Sequence, residues 1–202
     1  MERFLSKYFK TIDYTEEFRK EQEKYIESLP EEQKEAIIEY TKNTNINNFL
    51  LASDKNTERN YSNEVHLIDK SINEALPLKH SLIVYRGMIL TDPIQSRKTR
   101  TGHFRLFNYS GKYPGYTSTT LFEKITRLFQ QDTDKGIIFE IHLPIGFKCL
   151  YIRPLSKFRY QEEVLLPRNT IISIEKFKGN NHVIAKAHTD TSYSPPSTIT
   201  LI

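Results

Sequence analysis

The chain has 202 residues, 38% hydrophobic and 27% charged, a balance that suits one folded globular unit and excludes a disordered chain. A formal charge of +4 and a pI near 9.0 favour acidic partners such as nucleic acid, anionic lipid or a phosphorylated cofactor, without choosing among them. The single cysteine excludes an intramolecular disulfide framework, and no stretch approaches the ~18 successive apolar residues of a membrane span.

Met1 to Lys10 reads as an amphipathic helix in which Phe4, Leu5, Tyr8 and Phe9 cluster, without the apolar run or cleavage site of a signal peptide. The expectation is a protein that is cytoplasmic where it is made, a starting point compatible with delivery into a target or host cell. Asp13 with Glu16 fits a capping box, and Pro30 before two glutamates suits the first turn of a helix through Thr41. From Ser62 to Leu76 a further helix would put Val65, Ile68, Ile72, Ala75 and Leu76 on one apolar stripe. Residues 1–76 therefore predict a helical lead-in.

After Pro77 the pattern turns to short β-branched and aromatic runs between Gly, Pro, Asn and Asp. These predict strands at Leu82–Tyr85, His103–Tyr109, Ile137–Leu143, Phe147–Ile152, Glu163–Leu166, Thr170–Phe177 and His182–His188, with a helix at Leu121–Gln130 between them. Ser192–Ser197 reads as a loop before a last strand, Thr198–Ile202. Helices gathered ahead of strands make an α+β domain spanning 1–202, with 77–202 as its β-rich part.

Three segments carry chemistry: Leu82-Ile-Val-Tyr-Arg-Gly87, Gly115-Tyr-Thr-Ser-Thr-Thr120 and Tyr160-Gln-Glu-Glu-Val-Leu-Leu-Pro167. Their order and spacing resemble the Arg-Ser-Glu class of mono-ADP-ribosyltransferases, in which an Arg ends one strand, a Ser-Thr-Ser segment opens a later one, and a Glu follows two residues after a Gln or Glu. The lead-in Ala36–Thr41 with Ile46-Asn47, and the stretch Phe139–Ile152, are similar to clostridial C3-type exoenzymes and the enzymatic subunits of binary toxins. This resemblance implies an ADP-ribosyltransferase-like fold, an N-terminal helical layer packed on a mainly antiparallel two-sheet β core. It also implies NAD as substrate, cleaved at the nicotinamide bond, and transfer of ADP-ribose to a macromolecule.

That reaction leaves positive charge on the ribose, so it needs an anion near the anomeric carbon. Glu163 fills this role by resemblance, with Ser118 holding it in place and Gln161 completing the catalytic set. Arg86 is the expected clamp on the diphosphate, because a planar guanidinium grips such groups through several donors. Gly87 would allow close approach of the cofactor, and Thr119 joins Ser118 in the cofactor-binding set. Arg127 and Phe129 would supply phosphate and nicotinamide contacts from the loop after the Ser segment.

If Gln161 begins a strand, it shares a face with Glu163 and Glu162 points away. In the family a Gln at that place goes with asparagine acceptors or, in some members, guanine, and Phe158 resembles the aromatic of the target-recognition loop. The implied partner is a protein such as a small GTPase, with nucleic acid as an alternative, and the enzyme is expected to be a monomer. Transfer to water, as an NAD glycohydrolase, and an inactive binding module that keeps the scaffold are the other readings.

Two departures stand out. Ser118-Thr119-Thr120 replaces the third Ser of the motif by Thr, and Leu51 stands where the toxins carry a further phosphate-binding Arg, for which Lys55 or Arg59 would be substitutes. The six histidines show no metal-ligand spacing, so no metal is expected. Cys149 lies in an apolar run and reads as a buried small hydrophobe. The basic stretch Arg97–Arg105 reads as a solvated face, with phosphate contact as its alternative.

Overall fold

The computed structural model describes residues 14–51, 60–89, 96–98, 104–106, 110–127, 136–178 and 181–188. Outside them lie the expected helix Met1–Lys10, Asp13 of the capping box, the loop and strand after Ser192, and Lys55, Arg59 and Phe129.

Four helices come first: α1 (Tyr14–Ser28), α2 (Glu31–Lys42), α3 (Asn45–Leu51) and α4 (Ser62–Glu74). In α1 the buried residues Phe18, Gln22 and Ile26 recur every fourth position. In α2 Gln33, Ala36, Ile37, Tyr40 and Thr41 make one inward face, as a 3.6-residue period requires. The stripe expected on α4 is present at Val65, Ile68, Ile72 and Ala75, but Leu76 is exposed. The helix ends at Glu74 and Ala75 is extended (φ −61°, ψ 149°), which turns the residue before Pro77 outward.

The strands follow as β1 (Leu82–Ile89), β2 (Ser96–Lys98), β3 (Phe104–Leu106), β4 (Ser110–Lys112), β5 (Thr117–Thr120), β6 (Gly136–Leu143), β7 (Leu150–Tyr151), β8 (Glu163–Leu166), β9 (Ile171–Phe177) and β10 (His182–His188). A short helix α5 (Glu123–Thr126) stands where Leu121–Gln130 was expected. The backbones of Arg97 and Arg105, from the basic stretch, pair in the separate two-stranded sheet of β2 and β3.

Two sheets were expected. Among the described residues the other strands instead form one sheet in the order β4-β9-β10-β6-β1-β5-β8-β7, antiparallel except for β10 beside β6. The ladder is uneven. β1 pairs with β6 along its whole length, Leu82 to Ile89, but meets β5 only at Tyr85 opposite Thr120. This narrow joint divides the sheet into a five-stranded wing ending in β1 and a three-stranded wing of β5, β8 and β7.

The three-stranded wing is covered on both sides. Val164, Leu166, Tyr151 and Phe147 pack into a core shared with Val84, Phe139, Ile141 and Val183 of the other wing. Leu165, Leu150, Ile152 and Tyr116 pack into a second core with Ile26, Ile37, Ile46, Ile68 and Ile72 of the helices. Alternation along a strand sends neighbours to opposite faces, so β8 is buried at all four positions. Each fully buried aliphatic side chain contributes about 1.5–3 kcal/mol, and the strand that opens with Glu163 is thereby fixed from both sides.

Cys149 lies in the first core, and burial pushes its thiol up to about 12. No described helix is long and apolar enough to cross a membrane.

Candidate active site

The joint between the wings is where the three expected residues meet. Arg86, on β1 one residue past the single β1–β5 pair, donates from Nη1 to the backbone carbonyl of Ser118 at 2.8 Å. Ser118 follows the buried Thr117 on β5, and its hydroxyl lies 2.8 Å from that of Tyr40 on α2. Glu163 opens β8 opposite Thr120 and is 8% exposed. Burial pushes its carboxyl above the ordinary value of 4.5, while the hydrogen bond to Ser118 and the Arg86 charge pull it back.

Arg86, Gly87, Ser118, Thr119, Gln161 and Glu163 line one groove of about 370 Å³. Phe158 also lines it, exposed, with the ring of Tyr160 packed edge-on at 6.3 Å and the Lys157 ammonium 5.9 Å from its centre. The opposite wall comes from the end of α2 and the start of α3, with Tyr40, Lys42 and Asn47. The volume falls within the range of small-molecule sites.

Several assignments acquire a different physical basis. Gln161 does not begin a strand: it ends a single 3-10 turn, Arg159–Gln161, and Glu162 then takes a left-handed conformation (φ 49°, ψ 49°) before β8 starts. Gln161 and Glu163 share the groove because of this turn, not because of strand alternation. Glu162 does point away, as expected, onto Arg153 and Arg19.

A Cβ on Gly87 would come within 2.5 Å of the Thr126 carbonyl oxygen, so the absence of a side chain there lets α5 dock on β1. Thr119 donates its hydroxyl to the Val164 carbonyl at 2.6 Å, which ties β5 to β8. Arg127, the C-terminal cap of α5, is exposed and does not line the groove. Leu51 is likewise exposed at the end of α3 and outside the groove.

Tyr40 and Asn47 had no role assigned from sequence, although both fall in the segments that carried the resemblance. Asn47 donates from Nδ2 to the Tyr40 hydroxyl at 3.2 Å and to the Tyr116 carbonyl at 3.1 Å, and its Oδ1 accepts from the Tyr116 N–H at 2.9 Å. One amide thus pins the helical layer to the lead-in of β5. A Cβ on Gly115 would approach that same Oδ1 to 2.9 Å. Burial and the Glu163 charge push the Tyr40 hydroxyl up to about 12, which keeps it protonated beside Ser118. Lys42, paired with Glu39 at 2.8 Å, adds a cation to the helical wall.

Among the described residues no cluster of His, Cys, Asp or Glu could hold a metal. The donors suit an elongated anion bearing hydroxyls: a guanidinium and an ammonium for phosphate, with a buried carboxylate where positive charge can develop.

The family model for ADP-ribosyltransferase exoenzymes matches residues 15–192. The chain belongs to this family. As an ADP-ribosyltransferase exoenzyme it is a mono-ADP-ribosyltransferase that uses NAD. It is 26% identical to the mono-ADP-ribosyltransferase C3 of Clostridium botulinum D phage, over 83% of this chain and 73% of that one. The crystal structure of the Clostridium limosum C3 exoenzyme matches with a TM-score of 0.62 at 27% identity, covering 86% of this chain and 91% of that one. BECa, the ADP-ribosylating toxin of a C. perfringens binary enterotoxin, shares the fold with a TM-score of 0.65 at 16% identity, over 89% of this chain and 48% of the toxin.

Proposed function

We propose that the exoenzyme transfers ADP-ribose from NAD to an asparagine side chain of a protein acceptor, of the small-GTPase kind, inside a cell that receives it. What carries the reading is the sharing of one groove by Gln161 and Glu163 with Arg86 and Ser118, while the exposed Phe158 lines the same groove.

In this reading Arg86 and Lys42 hold the diphosphate, and the Glu163 carboxylate binds the ribose hydroxyls and stabilises positive charge at the anomeric carbon as nicotinamide leaves. Ser118, backed by the Tyr40 hydroxyl, keeps that carboxylate oriented. Gln161 presents its amide to the acceptor side chain, and the Phe158 ring packs on the acceptor surface.

Labelled NAD incubated with lysate and with purified small GTPases should give a discrete labelled band, lost with Glu163→Gln. Peptide mapping should place the label on asparagine, and Gln161→Glu should move it toward arginine. Label recovered in DNA or RNA, or free ADP-ribose with no labelled macromolecule, would replace the protein acceptor by guanine or by water.

A further inference from the structure

The turn that brings Gln161 and Glu163 to one groove depends on a residue facing the other way. Among the described residues only Glu162 and Asn169 adopt a positive φ without being glycine. Asn tolerates that region through its short polar side chain, whereas Glu does not favour it. Something must therefore hold Glu162.

Its carboxylate accepts from the Tyr151 hydroxyl and lies 3.1 Å from Arg153 Nε and 3.5 Å from Arg19 Nε, and the side chain is only 14% exposed. The backbone is tied as well: the Glu162 carbonyl accepts from Leu121 N–H at 3.2 Å, and its N–H donates to the Arg159 carbonyl at 3.4 Å. The groups holding the carboxylate are held in turn by α1. Arg19 Nε donates to the Tyr151 hydroxyl at 3.1 Å, Gln22 accepts from Tyr151 N–H at 3.1 Å, and Arg153 pairs with Glu23 at 3.5 Å. Arg19, Gln22 and Glu23 sit on one face of α1, and no α1 residue lines the groove.

We propose that Glu162 is a positioning residue: its buried carboxylate, clamped by Tyr151, Arg153 and Arg19, imposes the left-handed turn that aims Gln161 and Glu163 into the groove, and so couples α1 to the site. The idea rests on the reading of Gln161 and Glu163 as the working pair. Without the clamp residue 162 relaxes toward ordinary backbone, and the peptide between the two side chains rotates, carrying Gln161 out of line with Glu163. Strain of this kind persists only where its surroundings over-determine it.

The test compares the full-length wild type with Glu162→Ala, Glu162→Gln, Tyr151→Phe and the Tyr151→Phe/Glu162→Ala pair, by crystal structure, thermal melting and steady-state kinetics. The expected Glu162→Ala protein melts cooperatively, shows residue 162 outside the left-handed region with Gln161 withdrawn, and turns over about 100-fold more slowly, as a misplacement near 1 Å would produce. Its KM for NAD stays within about threefold, since the turn acts on the transition state and not on uniform binding. The paired substitution adds nothing to Glu162→Ala alone, because both break one clamp. If Glu162→Ala does not fold, the isosteric Glu162→Gln carries the same comparison, with a smaller loss in kcat. A variant with wild-type kcat, or one whose turn is unchanged in the crystal, overturns the proposal. Should the wild type consume no NAD, the functional reading fails, and the conformation of residue 162 in the variant crystal decides this inference by itself.

Discussion

Each wing of the sheet buries a carboxylate, Glu163 at the start of β8 and Glu140 in the middle of β6, and the company each keeps is different. For both, burial works to raise the pKa. Around Glu140 the imidazole of His142 at 3.0 Å, that of His182 at 3.1 Å and the Lys178 ammonium at 3.8 Å more than offset it, and the carboxyl ends below its ordinary value. Around Glu163 a hydroxyl and one guanidinium do not, and that guanidinium already donates Nη1 to the Ser118 carbonyl. Desolvation alone therefore does not mark a reactive acid. An under-compensated carboxylate in a groove does, because positive charge forming next to it finds an anion with little else to satisfy it.

The sharpest way to test this contrast is Glu163→Gln, for which turnover of NAD should fall by at least about 100-fold, the order seen when one group that stabilises transition-state charge is removed. Its stability at neutral pH should not fall with it. A raised folded pKa means that ionised Glu163 opposes folding above that pKa, and the penalty is relieved as pH drops through it toward 4.5. Urea melts at pH 7 in which Glu163→Gln is markedly weaker than wild type would contradict the electrostatic picture.

Packing gives the next largest effect. Leu165→Ala, in a strand buried on both faces, should cost about 2–5 kcal/mol in urea unfolding, whereas Ile83→Ala, exposed on β1, should stay within about 0.5 kcal/mol. Similar costs at the two places would erase the distinction between the wings.

Tyr40→Phe removes a hydroxyl bonded to Ser118 and Asn47, and a loss of about 1 kcal/mol is expected by thermal unfolding, together with a lower kcat as Ser118 loses its backing. Unchanged kcat would detach Tyr40 from the site. The smallest effect is the mirror image of the first: Glu140→Gln should lose about 1 kcal/mol at neutral pH. Because its folded pKa is depressed, Glu140 stabilises the fold above 4.5, and that contribution disappears as pH falls through the lowered folded value. Melts of wild type and Glu140→Gln should therefore converge in acid.

Much of this arrangement was legible where local pattern and tertiary packing agree. The spans of β8 and β10 follow from apolar runs bounded by turn residues, α2 from the start signal of Pro30 before two glutamates, and α4 from its 3.6-residue stripe. Arg86, Ser118 and Glu163 were found by motif order and do share a groove. The omissions have a common cause. α3 is seven residues, Asn-rich and buried only at Ile46, so it has no periodicity to read and exists through the contacts that Asn47 makes to Tyr40 and Tyr116. β7 shrinks from the expected Phe147–Ile152 to two residues because only Leu150 and Tyr151 stand in register with β8, Ile152 adding a single N–H to the Glu163 carbonyl at 3.0 Å, while Phe147 and Cys149 are buried without joining the ladder. The left-handed Glu162 could not be read either, since Glu carries no turn signal and one member of its clamp, Arg19, comes from a helix some 140 positions earlier in the chain.

Cys149 is the only sulfhydryl in the sequence, and its burial and high pKa leave almost no thiolate for an alkylating reagent to meet. This chain is therefore already a blank background for maleimide labelling. Tyr160→Cys would carry a dye as the sole reactive position, beside Phe158, and its fluorescence would register when an acceptor lands there.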